Sequence, residues 1–200
     1  MAVSALGLVI VYLIGAIPVG FIVARLAGGM DIRRAGSGTI GATNVLRAVG
    51  KWAALLTLLG DIAKGYLAVA VARRLGPEPG WAAGGAVLAI VGNCWPVYLR
   101  FRGGKGVATG FGAFFNLALL AAAPAALVWI VVAASFRYAS LASVLACLCL
   151  PLGVLALGYG WPATAAALIA AAIIIWRHHD NLRRLWSGTE RRLGERATAS

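Results

Sequence analysis

The feature that most constrains this chain is a succession of apolar segments that recurs along its whole length. A helix needs about 20 mainly apolar residues to cross the hydrocarbon core of a bilayer. Of the 200 residues, 62% are hydrophobic and 12% are charged, whereas soluble domains carry about 25% charged residues. The sequence therefore predicts an all-α polytopic membrane protein that forms a single domain over residues 1–200. The apolar segments fall at about residues 3–24, 52–72, 81–99, 107–122, 124–136, 140–158 and 161–176, with breaks expected at Pro124 and elsewhere.

Basic residues indicate the number of crossings and their orientation. The formal net charge is +12, and the positive-inside rule places such residues in cytoplasmic loops. If all the basic clusters face the cytoplasm, the count must be odd, which predicts seven transmembrane helices with the N-terminus outside and the C-terminus cytoplasmic. Merging 107–136 into one helix would place the basic tail outside. Arg73 and Arg74 fit this scheme less well. The clusters lie at 25–51, at 100–105, at Arg137 and at 177–196.

Composition also argues against several other classes. No long basic tract is interleaved with aromatic residues, so nucleic acid is not expected as a partner. The cysteines, Cys94, Cys147 and Cys149, lie in apolar stretches without a CxxC pair. Neither a zinc site nor a disulfide framework is indicated, and we expect no metal and no cofactor. The first apolar run is too long for a signal-peptide core, so we expect it to be retained as a helix.

Three polar, glycine-bearing stretches fall on the same predicted face, at 31–51, 100–110 and 177–194. In the predicted topology all three loops are cytoplasmic. Separate loops on one face can converge, so the sequence predicts one site built from these three stretches.

The first stretch, DIRRAGSGTIGATNVLRAVGK, contains the spacing Gly36-x-Gly38-x-x-Gly41. A dinucleotide fold is rejected because the motif follows a membrane helix rather than a strand. Backbone N–H groups in tight glycine turns can still form an anion-binding concavity. A loop that merely caps helix ends is the alternative. Polar groups that could assist anion binding are Ser37, Thr39, Thr43, Asn44 and the guanidinium of Arg47.

The second stretch, RFRGGKGVATG, resembles a phosphate loop but fails the Walker pattern. Leu99 stands where the first glycine is required, and Gly106 follows Lys105, so ATP is not expected. Glycine amides at a helix start and a lysine still form a generic anion site. The alternative is a basic loop that touches lipid head groups. The candidate residues are Gly103, Gly104, Lys105 and Gly106.

The third stretch, RHHDNLRRLWSGTERRLG, carries both histidines of the chain, His178 and His179. A histidine there can move a proton or donate a hydrogen bond to phosphate near neutral pH. Adjacent histidines diverge on a helix, so they form a poor metal site. The alternative is an interfacial amphipathic helix with Leu182, Leu185 and Trp186 among the head groups.

Two ionisable residues fall inside a predicted membrane helix. Asp61 and Lys64 are three residues apart, and intramembrane charges usually pair with one another or face a polar interior. Ser140 and Ser143 could line the same cavity as the three loops.

A transporter would carry polar residues at the midplane and repeat symmetry. Here most polar residues lie at one face, which favours an interfacial enzyme.

Together, the stretches GSGTIGATNVLR, GNCWPVYLRFRGGKGVATG, RYASLAS and RHHDNLRRLWSGTE resemble the signature loops of one family. It is the bacterial acyl-phosphate-dependent glycerol-3-phosphate acyltransferase, an integral membrane enzyme of phospholipid synthesis. The resemblance covers nearly the whole chain. It implies acyl transfer from acyl phosphate to the 1-hydroxyl of sn-glycerol 3-phosphate, giving 1-acylglycerol 3-phosphate (lysophosphatidate) and inorganic phosphate. We expect a monomer in the bacterial inner membrane, with its active site at the cytoplasmic face and in contact with membrane lipid.

The resemblance also assigns roles to individual positions. Ser37 and Arg47 correspond to the active residues of the family's first loop, and 103–106 to its glycerol-phosphate loop. In the third loop, His178 and Asn181 correspond to active residues and Glu190 to a structural glutamate. The family commonly has Asn where Thr39 stands and His where Asn93 stands, which puts in doubt only a chemical role for those two positions.

These residues support a mechanistic hypothesis in which positioning and charge supply most of the catalysis. Arg47 and Lys105 would bind glycerol 3-phosphate, and the acyl chain would lie between helices. Either His178 or the acceptor's own phosphate would take the hydroxyl proton. An acyl-enzyme on Ser37 is disfavoured because no orienting acid is evident. Ser37 and Ser143 would complete the acceptor shell, and the acyl phosphate would contact amides around Gly41 to Thr43, Gly103 and Gly104, with His178 and Asn181.

Overall fold

The computed structural model describes residues 2–195, with side chains from Leu6 onward, and contains no strand in that range. Arg196, at the end of the last predicted basic cluster, lies outside the described residues. Two short 3₁₀ turns, Ile32–Arg34 and Val97–Leu99, accompany the helices. The helices are α1 (Ala2–Ala16), α2 (Val19–Gly28), α3 (Ala42–Ala48), α4 (Lys51–Ala72), α5 (Pro79–Cys94), α6 (Val107–Leu117), α7 (Leu119–Phe136), α8 (Ala139–Ala156), α9 (Trp161–Arg177) and α10 (His179–Trp186).

Five of these units are long and apolar enough to cross a membrane. The first is Leu6–Gly28, which joins α1 and α2, and the others are α4, Pro79–Leu99, α7 and α8. A sixth is α9 followed by α10, which bends away from it by 58°. The all-α membrane class is therefore confirmed, whereas the seven crossings and the orientation of the termini stay predictions.

Helix α6 is the segment on which the seventh crossing depends. Its 11 residues are apolar but short. It begins beside Lys105, and near its other end Asn116 accepts a 2.9 Å hydrogen bond from the Arg73 guanidinium, just beyond α4. Because α4 runs from Lys51 toward Arg73, α6 lies parallel to it, beside the half of α4 that leads to Arg73.

The break between α6 and α7 lies at Ala118, not at Pro124 as the sequence suggested. Ala118 has φ −151° and ψ 66°, and α7 continues through Pro124. The first four N–H groups of a helix have no intrahelical partner, and Pro124 lies just beyond them, at the sixth position of α7. Because proline has no N–H, it removes the one hydrogen bond that this position would have donated. Proline near a helix start is therefore a weak indicator of a break in a membrane span.

Glycines allow the helices to approach closely around the interior. A Cβ atom at Gly112 would overlap the carbonyl of Ile62 across the α4–α6 contact. One at Gly92 would overlap the carbonyl of Tyr12 between α1 and α5. Small residues serve this purpose in membranes, where helix association relies on close packing. These contacts leave a cavity between α4, α6, α7, α8 and α9.

Candidate active site

A cavity of about 390 Å³ lies at the end of the bundle where the three polar stretches meet. We call this end the loop face, defined by residues 31–50, 97–106, 137–138 and 178–195. The predicted convergence of the three stretches is confirmed, because each contributes side chains to this cavity. Its polar lining includes Ser37, Thr39, Thr43, Asn44, Arg47, Asp61, Asn93, Lys105, Ser140, Ser143, His178, Asn181 and Glu190, with Gly41 and Gly106 contributing backbone.

The same cavity continues into an apolar groove inside the bundle. Its polar end faces the loops, and its apolar end runs between α4, α6, α7 and α8. A molecule with a charged head and a long hydrocarbon chain would match both ends. The groove is lined by Leu58, Ile62, Phe111, Phe114, Ala122, Ala125, Ala126, Ile130, Ala146 and Leu150, among others.

Asn44 organises the first loop. Its Nδ2 donates to the carbonyls of Ala35 (3.0 Å), Thr39 (2.8 Å) and a third residue, Ile32 (3.2 Å). Its Oδ1 accepts the Ser37 N–H at 2.9 Å. The amide is thus used within the loop itself, so Asn44 shapes the wall around Ser37 rather than offering a free donor.

Arg47 reaches from α3 toward the C-terminal segment and leaves part of its guanidinium unused. Nη2 donates to the carbonyls of Arg191 (3.1 Å) and Arg192 (3.4 Å). Nε is buried and has no acceptor among the described residues. Burial lowers the pKa of this guanidinium, with Glu190 opposing the shift, but arginine stays protonated in proteins. A buried N–H without a partner calls for an explanation, and an anion in the cavity would supply one.

Lys105 is held by a chain of polar side chains from the third stretch. Its Nζ donates to Asn181 Oδ1. Asn181 Nδ2 in turn donates to Glu190 Oε1 at 2.6 Å. Glu190 also accepts from Ser140 Oγ and from Arg184 Nε, each at 2.8 Å. The carboxylate therefore fixes the Asn181 amide so that its oxygen faces the lysine, as expected for a structural glutamate.

Burial and neighbouring groups shift the pKa values of Lys105 and Glu190, which lie on either side of Asn181 in this series of hydrogen bonds. Burial lowers the pKa of the Lys105 ammonium to about 8, with Glu190 opposing and Arg184, Arg177 and Arg47 adding to the decrease. Burial alone would raise the pKa of Glu190, but the hydrogen bonds that it accepts from Asn181, Ser140 and Arg184 outweigh that effect and hold the pKa below its usual value. Lys105 is thus a cation at neutral pH that loses its proton readily above it.

His178 follows the last residue of α9 and is 3% exposed. Its Nδ1 lies 2.7 Å from the Ile174 carbonyl. A carbonyl only accepts, so Nδ1 carries the hydrogen and Nε2 keeps a free lone pair. Burial, with the Lys105 charge second, lowers the pKa of His178 to about 4. At neutral pH the imidazole is therefore an uncharged hydrogen-bond acceptor.

The predicted glycine contacts are only partly brought to the cavity. Gly41 and Gly106 line it, whereas Gly103 and Gly104 do not. The Gly104 N–H already donates to the Asn93 carbonyl at 2.9 Å. A Cβ at Gly103 would overlap that same carbonyl. These two glycines therefore pack the loop against the end of α5. Gly106 precedes the first residue of α6 and has φ 83°, a left-handed conformation that favours glycine.

Sequence reasoning missed Trp129, which also lines the cavity. Its indole Nε1 donates to Ser143 Oγ at 3.1 Å, and the Ser143 hydroxyl donates to the Ala139 carbonyl at 2.7 Å. The signal was available, because a tryptophan N–H in an apolar segment usually finds a partner. Within residues 2–195, no three His, Cys, Asp or Glu side chains are grouped so as to hold a metal.

The fold and cavity define an integral membrane protein whose site combines partly buried cations with an apolar groove, as suits an enzyme of amphiphilic phosphates. A family model for glycerol-3-phosphate acyltransferase matches residues 5–188. This chain belongs to the glycerol-3-phosphate acyltransferase family.

Curated relatives are similar over nearly their whole length. The glycerol-3-phosphate acyltransferase of Rubrobacter xylanophilus is 46% identical over 186 residues, covering 93% of each chain. The enzyme of the same name from Nitrobacter winogradskyi is 45% identical over 187 residues, covering 93% of this chain and 94% of the relative.

Solved structures agree with the family. The chain is similar to PlsY (YgiH), an integral membrane glycerol 3-phosphate acyltransferase, in its glycerol 3-phosphate form. The TM-score is 0.89 at 35% identity, with 96% of each chain covered. The lysophosphatidic acid form gives a TM-score of 0.87 at 35% identity, covering 96% of this chain and 95% of that one. The fold and the acyltransferase activity are thus both supported.

Proposed function

We propose that this acyltransferase takes its acyl group from acyl phosphate and transfers it to the 1-hydroxyl of sn-glycerol 3-phosphate. The products are 1-acyl-sn-glycerol 3-phosphate and inorganic phosphate. The observation that carries this proposal is the pairing of two partly buried cations, Arg47 and Lys105, with the mouth of one apolar groove. Two cations at one polar end can together hold the phosphate of the acceptor, and the groove suits the fatty acyl chain of the donor.

The reaction balances without a cofactor. The acceptor hydroxyl oxygen attacks the acyl carbonyl carbon, and the bond between that carbon and the phosphate oxygen breaks. Phosphate leaves with the electron pair, while the hydroxyl proton goes to a base. An acyl phosphate is an activated anhydride with a good leaving group, so alignment and charge stabilisation can supply most of the acceleration.

Arg47 and Lys105 bind the acceptor phosphate in this mechanism. The buried Arg47 Nε has no acceptor among the described residues, and Lys105 is aimed by Asn181. Ser37 and Ser143 complete the shell of the acceptor. Backbone amides at Gly41 and Thr43 contact the donor phosphate, and the acyl chain occupies the groove beside Phe114 and its neighbours.

The acceptor's own phosphate is the stronger of the two available bases. The pKa of His178 is lowered to about 4, whereas the second pKa of a phosphate ester is about 6. At neutral pH the phosphate therefore has the higher proton affinity. His178 Nε2 accepts a hydrogen bond from the attacking hydroxyl and orients it, and the phosphate takes the proton.

The loop face corresponds to the cytoplasmic side of the bacterial inner membrane in this proposal. Most described basic residues outside the helices lie at that face, whereas Arg73 and Arg74 lie at the opposite end. The positive-inside rule assigns the richer side to the cytoplasm. We also propose that the enzyme acts as a monomer.

The donor is tested by offering purified protein in detergent three donors with glycerol 3-phosphate. These are acyl phosphate, acyl-CoA and acyl-carrier protein with the same acyl chain. We expect lysophosphatidate from acyl phosphate alone, with one phosphate released per product. Glycerol in place of glycerol 3-phosphate should release no phosphate above background. Transfer from a thioester with none from acyl phosphate would refute the proposed donor.

The pH dependence of kcat/KM for glycerol 3-phosphate should follow the ionisation of Lys105. Its pKa is lowered to about 8, so the cation is present below that pH and is lost as pH rises through it. We expect a rise near pH 6, where the acceptor becomes a dianion, and a fall above about pH 8. In Lys105→Arg the fall should move upward, because guanidinium stays protonated. An unmoved falling limb in that variant would contradict the assignment.

A further inference from the structure

We infer that Lys64, buried inside the bundle, is a positioning residue that sets the glycine loop 103–106, and with it Lys105, through Asn93. This inference rests on the proposed function only in that Lys105 binds the acceptor phosphate. It gives a chemical purpose to the Asp61–Lys64 pair, which the reaction itself does not use.

The Lys64 ammonium lies at the junction of three elements. It is 5% exposed and lies 2.7 Å from Asp61 Oδ1 within α4. It donates to the Ile17 carbonyl at 2.7 Å, at the break between α1 and α2, and to Asn93 Oδ1 at 2.9 Å in α5. The ammonium thus makes two hydrogen bonds and one ion pair, and the predicted pairing of Asp61 with Lys64 is confirmed.

The contact at Ile17 explains why a charge is placed at this depth. Pro18 interrupts the first span between α1 and α2, so the Ile17 carbonyl lies outside regular helical pairing and accepts only the Val19 N–H besides Lys64. In a bilayer such a group must be satisfied by the protein. The carboxylate of Asp61 neutralises the ammonium that does this.

Asn93 connects Lys64 to the glycine loop, because it contacts both. Its side chain is held by Lys64, and its main-chain carbonyl accepts the Gly104 N–H at 2.9 Å. Gly103 lies against the same carbonyl so closely that a Cβ would overlap it. On the other side, the Gly104 carbonyl accepts from Arg177 Nη2 at 3.0 Å. Gly104 is therefore held through both its N–H and its carbonyl, and Lys105 follows it directly.

Lys64 itself does not line the cavity, whereas Asp61 and Asn93 do. Any effect of Lys64 on acceptor binding must therefore pass through the residues that it holds. Because Asp61 and Asn93 do line the cavity, positioning is distinguished from direct contact by Asn93→Asp, which keeps the acceptor for Lys64 but removes the amide donor.

The test measures the Kd for glycerol 3-phosphate without donor, together with KM, kcat and the thermal midpoint in detergent. The first variant is the double change Asp61→Asn with Lys64→Met, which leaves no unpaired buried charge. The second is Asn93→Leu, which removes the side-chain oxygen that accepts a hydrogen bond from Lys64. For each we expect Kd and KM for glycerol 3-phosphate to rise about tenfold or more. KM for the donor and kcat at saturating acceptor should change by less than about threefold.

Two further variants make the result specific. Asn93→Asp keeps an acceptor for Lys64 and should restore Kd to within about threefold of the unmodified protein. Thr164→Val removes a buried hydroxyl that bonds only within α9 and should leave Kd unchanged. If the network variants lower the thermal midpoint without changing Kd, Lys64 is structural only and the inference is wrong. A donor other than acyl phosphate would refute the proposed function while leaving these Kd differences readable.

Discussion

Lys105→Met is expected to lower kcat/KM for glycerol 3-phosphate by about 10²- to 10³-fold, since removing one preorganised charge-stabilising donor has that effect. Methionine resembles the aliphatic part of lysine and removes the ammonium, with its charge and its hydrogen-bond donors. The loss should appear mainly in KM for the acceptor, because Lys105 is proposed to bind the phosphate in ground and transition states alike. Steady-state assays that vary each substrate separately will show this.

The matched control for this change is Lys51→Met. Lys51 begins α4 at the loop face, is exposed and does not line the cavity. Its replacement removes the same charge from the same face and should change kcat/KM by less than about threefold at moderate salt, because surface charges are screened. If both lysine variants lose activity equally, the general field of the loop face would be responsible rather than a specific contact.

His178→Ala is expected to lower kcat by about 10²- to 10³-fold with a small change in acceptor KM. Nε2 is the acceptor that orients the attacking hydroxyl, and alanine leaves that hydroxyl without a partner in a buried site. The control is His179→Ala. His179 is exposed, has Nδ1 2.9 Å from the Trp176 carbonyl and does not line the cavity, so its loss should leave kcat nearly unchanged.

His178→Gln decides which group takes the proton. The glutamine amide oxygen can occupy the place of Nε2 and accept a hydrogen bond, but it cannot accept a proton near neutral pH. If the acceptor phosphate is the base, this variant should keep kcat within about tenfold of the unmodified protein. Should His178→Gln be as inactive as His178→Ala, the histidine is the base and substrate assistance is wrong.

Much of the site could be predicted because residue types and chain order carry the information. The positive charges and glycines of the three stretches indicated loops on one face, and the structure brings Arg47, Lys105 and His178 to one cavity. The spacing of Asp61 and Lys64 predicted their pairing, since residues three apart on a helix are neighbours. These are local or topological features, which a single sequence contains.

Other features could not be predicted from local patterns. The role of Gly103 and Gly104 depends on their contacts with Asn93, which lies near the end of α5 and precedes them in the chain. Trp129 reaches Ser143 across α7 and α8. Each depends on contacts between separate elements.

The sequence by itself determined the class of protein, the face that carries the loops, and the cations and histidine available there. Hydropathy and charge are sums over residues and need no tertiary information. Only the tertiary structure decided that Lys105 and His178 are buried together, with pKa values lowered to about 8 and about 4. It also decided that Lys64 holds three elements at once. Burial and through-space distances arise from packing, so the same residues acquire their chemistry only when the helices enclose them.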